Sequence, residues 1–545
     1  MHGQIQLDGE EVTRITYFVT YNGQTDNHQN PIYVLSDGKK SLITNQSQIE
    51  NTAKYPREMT LVLPNVGRYD QYAFLADGTA IRMSDTSSID KQEWVMTDET
   101  KTILGYRCKK AQTTINSNTI VLWYTDELPY HAAPSILGQR LGVVLEQVRN
   151  GNFAITARDI SKIKLILPEY ITATAAIKTE KLDYTDRIWR SRFTTIPVFD
   201  HQQIHWSETY EPREDVLRFA NGTIVVKKVT FPKILSSQQV FVELTEQSTG
   251  DAYDRTGTVF LIPTDKKQSF MDGLQNGAST LPIYENGNGK KYQGVIATAE
   301  YSPVVELMRF FTPFGINHFN DRVTLKGKTW HTTVPYRQEI TALAGLMSGQ
   351  EVYIGVFIGN YDKGGHTISM DITIHNDGAG NQPLPKAIPL FNTLNIMEMA
   401  GQDYGTMFDN DNGLVVQFAL KEPLKNAKLR YVTTGHGGWE NGDEFVQKKN
   451  TILLDKKVVF DLIPWREDCG SYRLYNPVSG NFSNGLSSSD YSRSNWCPGT
   501  VTNPYIISLG DLTKGEHTIQ VKIPQGHPEG NSFSAWNVSG ILIGE

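Results

Sequence analysis

The chain reads as all-β: two similar antiparallel sandwiches in tandem, preceded by a further β-rich region. Three observations predict this. Short runs rich in Val, Ile, Thr and aromatics recur along all 545 residues, each bounded by Gly, Asn, Asp or Pro. Helical patterning is confined to the neighbourhoods of Gln139–Gln147 and Thr298–Phe311, the second containing AEYSPVVELMRFF. A weak internal repeat completes the argument. PKILSSQQVFVELTE, an acid-bearing loop GDAYDRTG and the run GTVFLIP are matched later by LKNAKLRYVTT, the loop GGWENGDEF and NTILLD.

Residues 1–165 form a domain of meandering strands such as MTLVLP and NTIVLWYT, with IKLILP at its end, and 166–195 read as a connector. The first sandwich, 196–380, carries TIVVKKVTF, QVFVEL, GTVFLI, EVYIGVFI and TISMDITI. The second, 381–545, carries LVVQFAL, TILL, KKVVFDLI and HTIQVKI, and the Pro-containing segment 380–390, GNQPLPKAIPL, is the expected joint.

Composition excludes several classes. Hydrophobic residues make up 39% and charged residues 20%, which is ordinary for a folded chain. The formal net charge of -7 and the lack of a Lys/Arg cluster argue against nucleic acid. The longest apolar runs fall short of a bilayer span, so no membrane span is expected. No signal-peptide pattern precedes MHGQIQLDGE, so a cytoplasmic or an already processed chain is expected.

The three cysteines have no zinc-site spacing, and metal ligation is not expected. Cys469 and Cys497 bracket a Gly/Ser/Asn-rich loop that a disulfide would tie, contributing about 3–4 kcal/mol in the chain-entropy model. The alternative is three reduced buried thiols. A bridge would favour an exported, secreted or periplasmic protein, with Cys108 left over.

The chemistry concentrates in two loops at matching places in the repeat. Gly250–Gly257 holds Asp251, Asp254 and Arg255, and GHGGWENGDEF, 435–445, holds His436, Trp439, Asp443 and Glu444. If the sandwiches pack side by side, these loops converge on a cleft, and alternation along the chain leaves one of Asp443 and Glu444 facing it. The competing reading is that these acids cap turns. A third stretch, YSRSNWCPG, offers Arg493 as a forked donor and Trp496 as a flat face for a sugar. His201 and His205, near Trp206 in HQQIHWSETYEP, lack metal-ligand spacing and read as surface histidines, and no GxSxG elbow, P-loop or dinucleotide fingerprint occurs.

On these three loops the stretch from about 195 to 545 resembles the bacterial peptide-N-glycosidase F family, amidases that cleave between asparagine and the first N-acetylglucosamine of an N-linked glycan. The added N-terminal region resembles a flavobacterial branch of that family. The resemblance implies two jelly-roll sandwiches, Asp254 and Glu444 as catalytic acids, and Arg255, His436, Trp439, Arg493, Trp496 and Tyr361 as substrate-binding residues. It also supports the Cys469–Cys497 bridge, and implies no metal or organic cofactor. N-glycosylated proteins and glycopeptides would be the partners of a monomer.

Two departures stand out. Family disulfides that flank the acids would fall near Thr245 and Gly250 and near Gly442 and Val446, where this chain has no cysteine. A third family acid would fall where this chain has Ile358 and Gly359, with Tyr361 and Asp362 close by. DETKTILGYRCKKA, WYTDELP and RLGVVLE resemble a flavobacterial family named for its GLPGLI motif, which implies a curved antiparallel sheet for residues 1–165 and carries no activity. The rival functions are a non-enzymatic N-glycan-binding protein and an endo-glycosidase working on the same glycan with two carboxylates.

Overall fold

A computed structural model describes residues 5–7, 10–25, 30–172, 175–207, 215–361, 363–376, 382–403, 405–437, 442–479, 485–528 and 530–545. The chain forms two compact units, Met1–Phe193 and Thr194–Glu545. Among the described residues no helix is long and apolar enough to cross a membrane.

The first unit is built on one 13-stranded sheet. Strand Glu11–Tyr21 lies in its middle, paired antiparallel with Phe153–Lys164 on one side and Ile32–Ser36 on the other. Its alternation buries Ile15 and Tyr17 on one face, with Arg14 and Thr16 beside them half-buried, and Val12 is buried on the other face in a separate cluster. The segment expected as a connector belongs to this unit. Ile177–Lys178 extends the sheet beside Ala80–Asp85, and helix Lys181–Arg190 buries Tyr184 and Ile188 against Val62, Tyr69, Ile81 and Met83. Two apolar residues four apart on one short helix are too few to register as periodicity.

Both helical expectations are corrected to strands, Val143–Arg149 and Val305–Phe311. Every residue of Val305–Phe311 is buried, because the strand lies inside the second unit with side chains packed on both faces. With both faces buried, and with Glu306 and Arg309 paired inside, the run shows no period of two to reveal it.

The second unit contains two sandwiches. In the first, a four-stranded sheet (Phe193–Ile204, His366–Asn376, Gln238–Ser248, Val334–Glu339) packs on a six-stranded one that includes Ile224–Thr230, Glu351–Ile358, Thr256–Ile262 and Val305–Phe311. In the second, Lys386–Asn392, Ser534–Gly544, Leu424–Gly437 and Tyr505–Leu512 face Leu414–Leu420, Gly515–Lys522, Asn450–Leu454 and Lys457–Leu462. The expected joint is shorter than 380–390, since Lys386–Asn392 is already an edge strand of the second sandwich. Pro389 sits there at a register irregularity, a place where its missing N–H is tolerated.

The sandwiches share a seam. Strand Ser534–Gly544 is buried along its whole length, with Trp536, Val538 and Leu542 in the second core and Ile541 and Ile543 in the first. Val501–Thr502, from the second half of the chain, adds to the first sandwich by pairing with Arg309 and Phe310. The loops at one end of this seam carry the predicted acids.

Candidate active site

The loop after strand Gln238–Ser248 is held by its own polar residues. Ser248 Oγ donates to Asp251 O at 2.6 Å, and the Asp251 carboxylate accepts the Tyr253 N–H at 3.0 Å. Thr312 fixes the next turn, accepting the Arg255 N–H at 2.8 Å and donating to Tyr253 O at 3.1 Å. Asp254 therefore sits between two anchored residues. Asp251 is fully buried and ion-paired with Arg255, whose Nε and Nη2 lie 2.7 and 3.1 Å from its oxygens.

The opposing loop leaves strand Leu424–Gly437. A Cβ at Gly435 would come within 2.9 Å of Asp443 O, Trp536 and Ser494, so glycine there admits the protein's own chain. Asp443 and Glu444 diverge in a turn. Asp443 is buried, accepting from Trp536 Nε1 at 2.8 Å and from the Gly526 N–H at 3.0 Å, whereas Glu444 faces Asp254 across Arg493. Trp439 and Asp362 lie outside the described residues.

Arg493 joins the loops. Its Nη1 is 3.1 Å from Asp254 Oδ2 and in direct contact with Glu444 Oε1, while Nη2 donates to Ser488 O and Oγ at 2.7 and 3.0 Å. The guanidinium lies over Trp496 at 4.3 Å and Phe445 at 5.0 Å, with its side chain 1% exposed. Burial pushes both carboxyls up against the pull of Arg493: Asp254 is raised, and Glu444 reaches about 7, with the Asp254 charge adding to its rise. Two coupled carboxyls on one cation can hold a proton between them near neutrality.

Two expected sugar contacts have other places. Trp496 is 3% exposed, stacked on Phe311 at 4.2 Å and donating to Gly435 O at 3.0 Å, so it is a floor under Arg493 and presents no free face. His436 stacks on Phe311, and its Nε2 lies 2.7 Å from Thr434 Oγ1. That hydroxyl accepts from Arg309 Nη1 at 3.0 Å, so its own proton points to Nε2. Burial, with Arg309 and Arg493 nearby, lowers the imidazole to about 3, and His436 is a neutral acceptor. The Cys469–Cys497 disulfide is present and Cys108 is a buried free thiol.

Beside Asp254 opens a cavity of about 170 Å³ whose lining includes Arg255, Tyr361, Asn395, Glu398 and Asn537. Tyr361, 45% exposed, donates to Glu398 Oε2 at 2.5 Å, and Arg255 lies 5.0 and 5.2 Å from the rings of Tyr253 and Tyr361. Glu398 comes from the turn Glu398–Ala400, at the start of the second sandwich, and no motif marked it. A larger groove of about 570 Å³, lined by Arg466, Asp468 and several tyrosines, commits that arginine to Asp468 and Thr500. Neither Asp254 nor Glu444 lines it, whereas the smaller cavity opens directly beside Asp254.

Residues 195–374 match the family model Peptide-N-glycosidase F, N terminal, and 403–543 match Peptide-N-glycosidase F, C terminal. Residues 15–186 match N-glycanase peptide, N-terminal domain. The chain is similar to a solved structure described as "Structure of PNGF-II in C2 space group", at 51% identity and TM-score 0.93 over 98% of each chain. It is similar to another, "Structure of PNGF-II in P21 space group", at 52% identity and TM-score 0.93, over 98% of this chain and 99% of that one. A third, "Recombinant peptide: N-glycanase F (PNGase F)", is 16% identical over 65% of this chain and 96% of that one, with TM-score 0.43. Among curated proteins nothing matches.

Proposed function

The chain belongs to the peptide-N-glycosidase F family, and from that premise we propose that Asp254 and Glu444, joined through Arg493, are the catalytic pair of its hydrolysis. The protein is a peptide-N-glycosidase, a hydrolase of the linear amide between asparagine and the innermost N-acetylglucosamine. Its N-terminal unit is the accessory domain of that branch.

Water adds to the asparagine side-chain carbonyl. Asp254 takes the proton from the attacking water, and Glu444 in its protonated form donates to the leaving glycosylamine nitrogen. The C–N bond breaks, the intact glycan departs as a glycosylamine, and aspartate remains in the peptide. Arg493 keeps the two carboxyls apart in charge state, which is how one site holds a base and an acid at the same pH. Arg255, Tyr361 and Glu398 border the cavity where the chitobiose core would lie, and neutral His436 stiffens the floor. The observation that carries this reading is the convergence of two carboxyls, both pushed up by burial, on Nη1 of one buried arginine.

N-glycosylated proteins and glycopeptides are the substrates of this reading. The disulfide supports a secreted or periplasmic location. The reading needs no second copy of the chain, because the Asp254–Arg493–Glu444 cluster is complete within one, in keeping with a monomer. Mass spectrometry of a treated N-glycopeptide tests the chemistry. A peptide with aspartate in place of the glycosylated asparagine is expected; asparagine still bearing N-acetylglucosamine would mean a glycosidase, and an untouched glycopeptide that stays bound would mean a lectin.

A further inference from the structure

Behind the site lies a run of four buried or half-buried charges that the hydrolysis does not use directly. His366 opens strand His366–Asn376, and its side chain is fully buried between two carboxylates. Nδ1 is 2.8 Å from Glu246 Oε1, and Nε2 is 3.3 Å from Asp251 Oδ2. A neutral imidazole has one donor and one acceptor nitrogen, and an acceptor lone pair aimed at a carboxylate is repelled. Both nitrogens therefore donate, and the ring is an imidazolium. Asp251 then binds Arg255 through both its oxygens, so two anions alternate with two cations and the run carries no net charge. Asn360 Nδ2 donates to Asp251 Oδ2 at 2.6 Å and completes its coordination.

The run ends on the reacting loop. The same Asp251 carboxylate caps the turn through the Tyr253 N–H, one residue before Asp254, and orients Arg255 at the mouth of the cavity. The neighbouring seam is tied by Thr249, whose N–H and hydroxyl bind Gly365 O and Gly364 O at 3.0 and 2.7 Å. We propose that His366 is a positioning residue: clamped between Glu246 and Asp251, it fixes the loop that presents Asp254 and Arg255 to the substrate.

This rests on the amidase reading above. The titratable groups that face the ring are Glu246 on strand Gln238–Ser248 and Asp251 on the loop; beyond them Arg255 binds Asp251, and Tyr336 on strand Val334–Glu339 lies beside Glu246. Burial lowers the imidazole, but the two carboxylates outweigh it and hold it at about 9. Because this value lies above the unfolded one, the clamp is complete below about pH 6.5 and is lost as pH rises through about 9.

The test is steady-state kinetics of glycopeptide deglycosylation from pH 5 to 10 by the full chain, for wild type, His366→Gln and Glu246→Gln, with melting curves in parallel. Wild type is expected to show an extra downward break in kcat/KM near pH 9. His366→Gln should lose that break and lower kcat at pH 7 by about ten- to a hundred-fold, the scale of a misplaced reacting group, with a smaller change in KM. Glu246→Gln keeps the Asp251 contact and should move the break to lower pH, which serves if His366→Gln does not fold. Variants that melt lower while kcat and the break stay as in wild type would overturn the proposal. A wild type that leaves N-acetylglucosamine on asparagine would overturn the amidase reading alone, since the same comparison then runs on that cleavage.

Discussion

Asp254 and Glu444, 190 residues apart in the chain, meet on a single nitrogen, Nη1 of Arg493. Each belongs to a different sandwich, and the cation that joins them lies on the loop closed by the Cys469–Cys497 bridge. The pair exists only when both sandwiches and the bridged loop are in place.

Asp254→Asn is isosteric and removes the base while keeping the loop anchors on Tyr253 and Arg255. Turnover should fall by about two to four orders of magnitude, the usual worth of a positioned base. Glycopeptide affinity, followed by calorimetry, should stay within a few-fold of wild type.

Glu444 titrates at about 7, above its ordinary range, because burial and the Asp254 charge outweigh Arg493. As the donor it must be protonated, so kcat should fall as pH rises through about 7. The stability sign runs the same way. A carboxyl whose folded value is raised favours the fold below its unfolded value, and that contribution is lost as pH climbs through about 7. Glu444→Gln should thus remove the first alkaline break in the rate while making the melting temperature less sensitive to pH between about 5 and 8. Rate and melting profiles of the two proteins check both halves.

Strand composition made the fold legible: MTLVL, NTIVLWYT, GTVFLI and EVYIGVFI all lie in strands. What hid was burial on both faces, as in Val305–Phe311, and contact at long range. Asp254, Glu444 and Arg493 could be picked out because Gly, Asn and Ser mark their loops. Glu398 sits in an apolar run that marks no site, and His366, though it follows Gly364 and Gly365, gains its meaning only from Glu246 and Asp251, more than 110 residues away in sequence. Trp496 misled because a tryptophan in a polar loop gives no sign of whether its face is free. Here that face is taken by Phe311 and Arg493.

The bridge should matter for catalysis as well as stability. Cys469→Ser with Cys497→Ser opens a loop of 28 residues' separation, with an expected loss of about 3–4 kcal/mol. Because Arg493 lies inside that loop, kcat should fall too. Melting and rate measurements with and without reductant should reproduce the double variant's behaviour in wild type.

The seam between the sandwiches contains a second buried ion pair. Glu306 and Arg309 are three apart on one strand and would alternate across it, but a register irregularity opposite Val259 and Phe260 brings them to the same side. Arg309 Nε and Nη2 each reach a Glu306 oxygen at 2.8 Å, and both side chains are fully buried. Across the seam Arg309 Nη1 binds Asn537 O at 2.6 Å and Thr434 Oγ1 at 3.0 Å, while Ser539 Oγ donates to Glu306. Arg309→Met should cost about 3–5 kcal/mol, because it strands Glu306 as an unpaired buried charge. Adding Glu306→Leu removes that charge and should recover most of the loss in denaturant unfolding. The hydroxyl of Thr434 would still lack its Arg309 donor and be free to turn from His436, so the double variant should regain stability without regaining full kcat. Recovery of both together would mean that the ion pair serves only to hold the sandwiches.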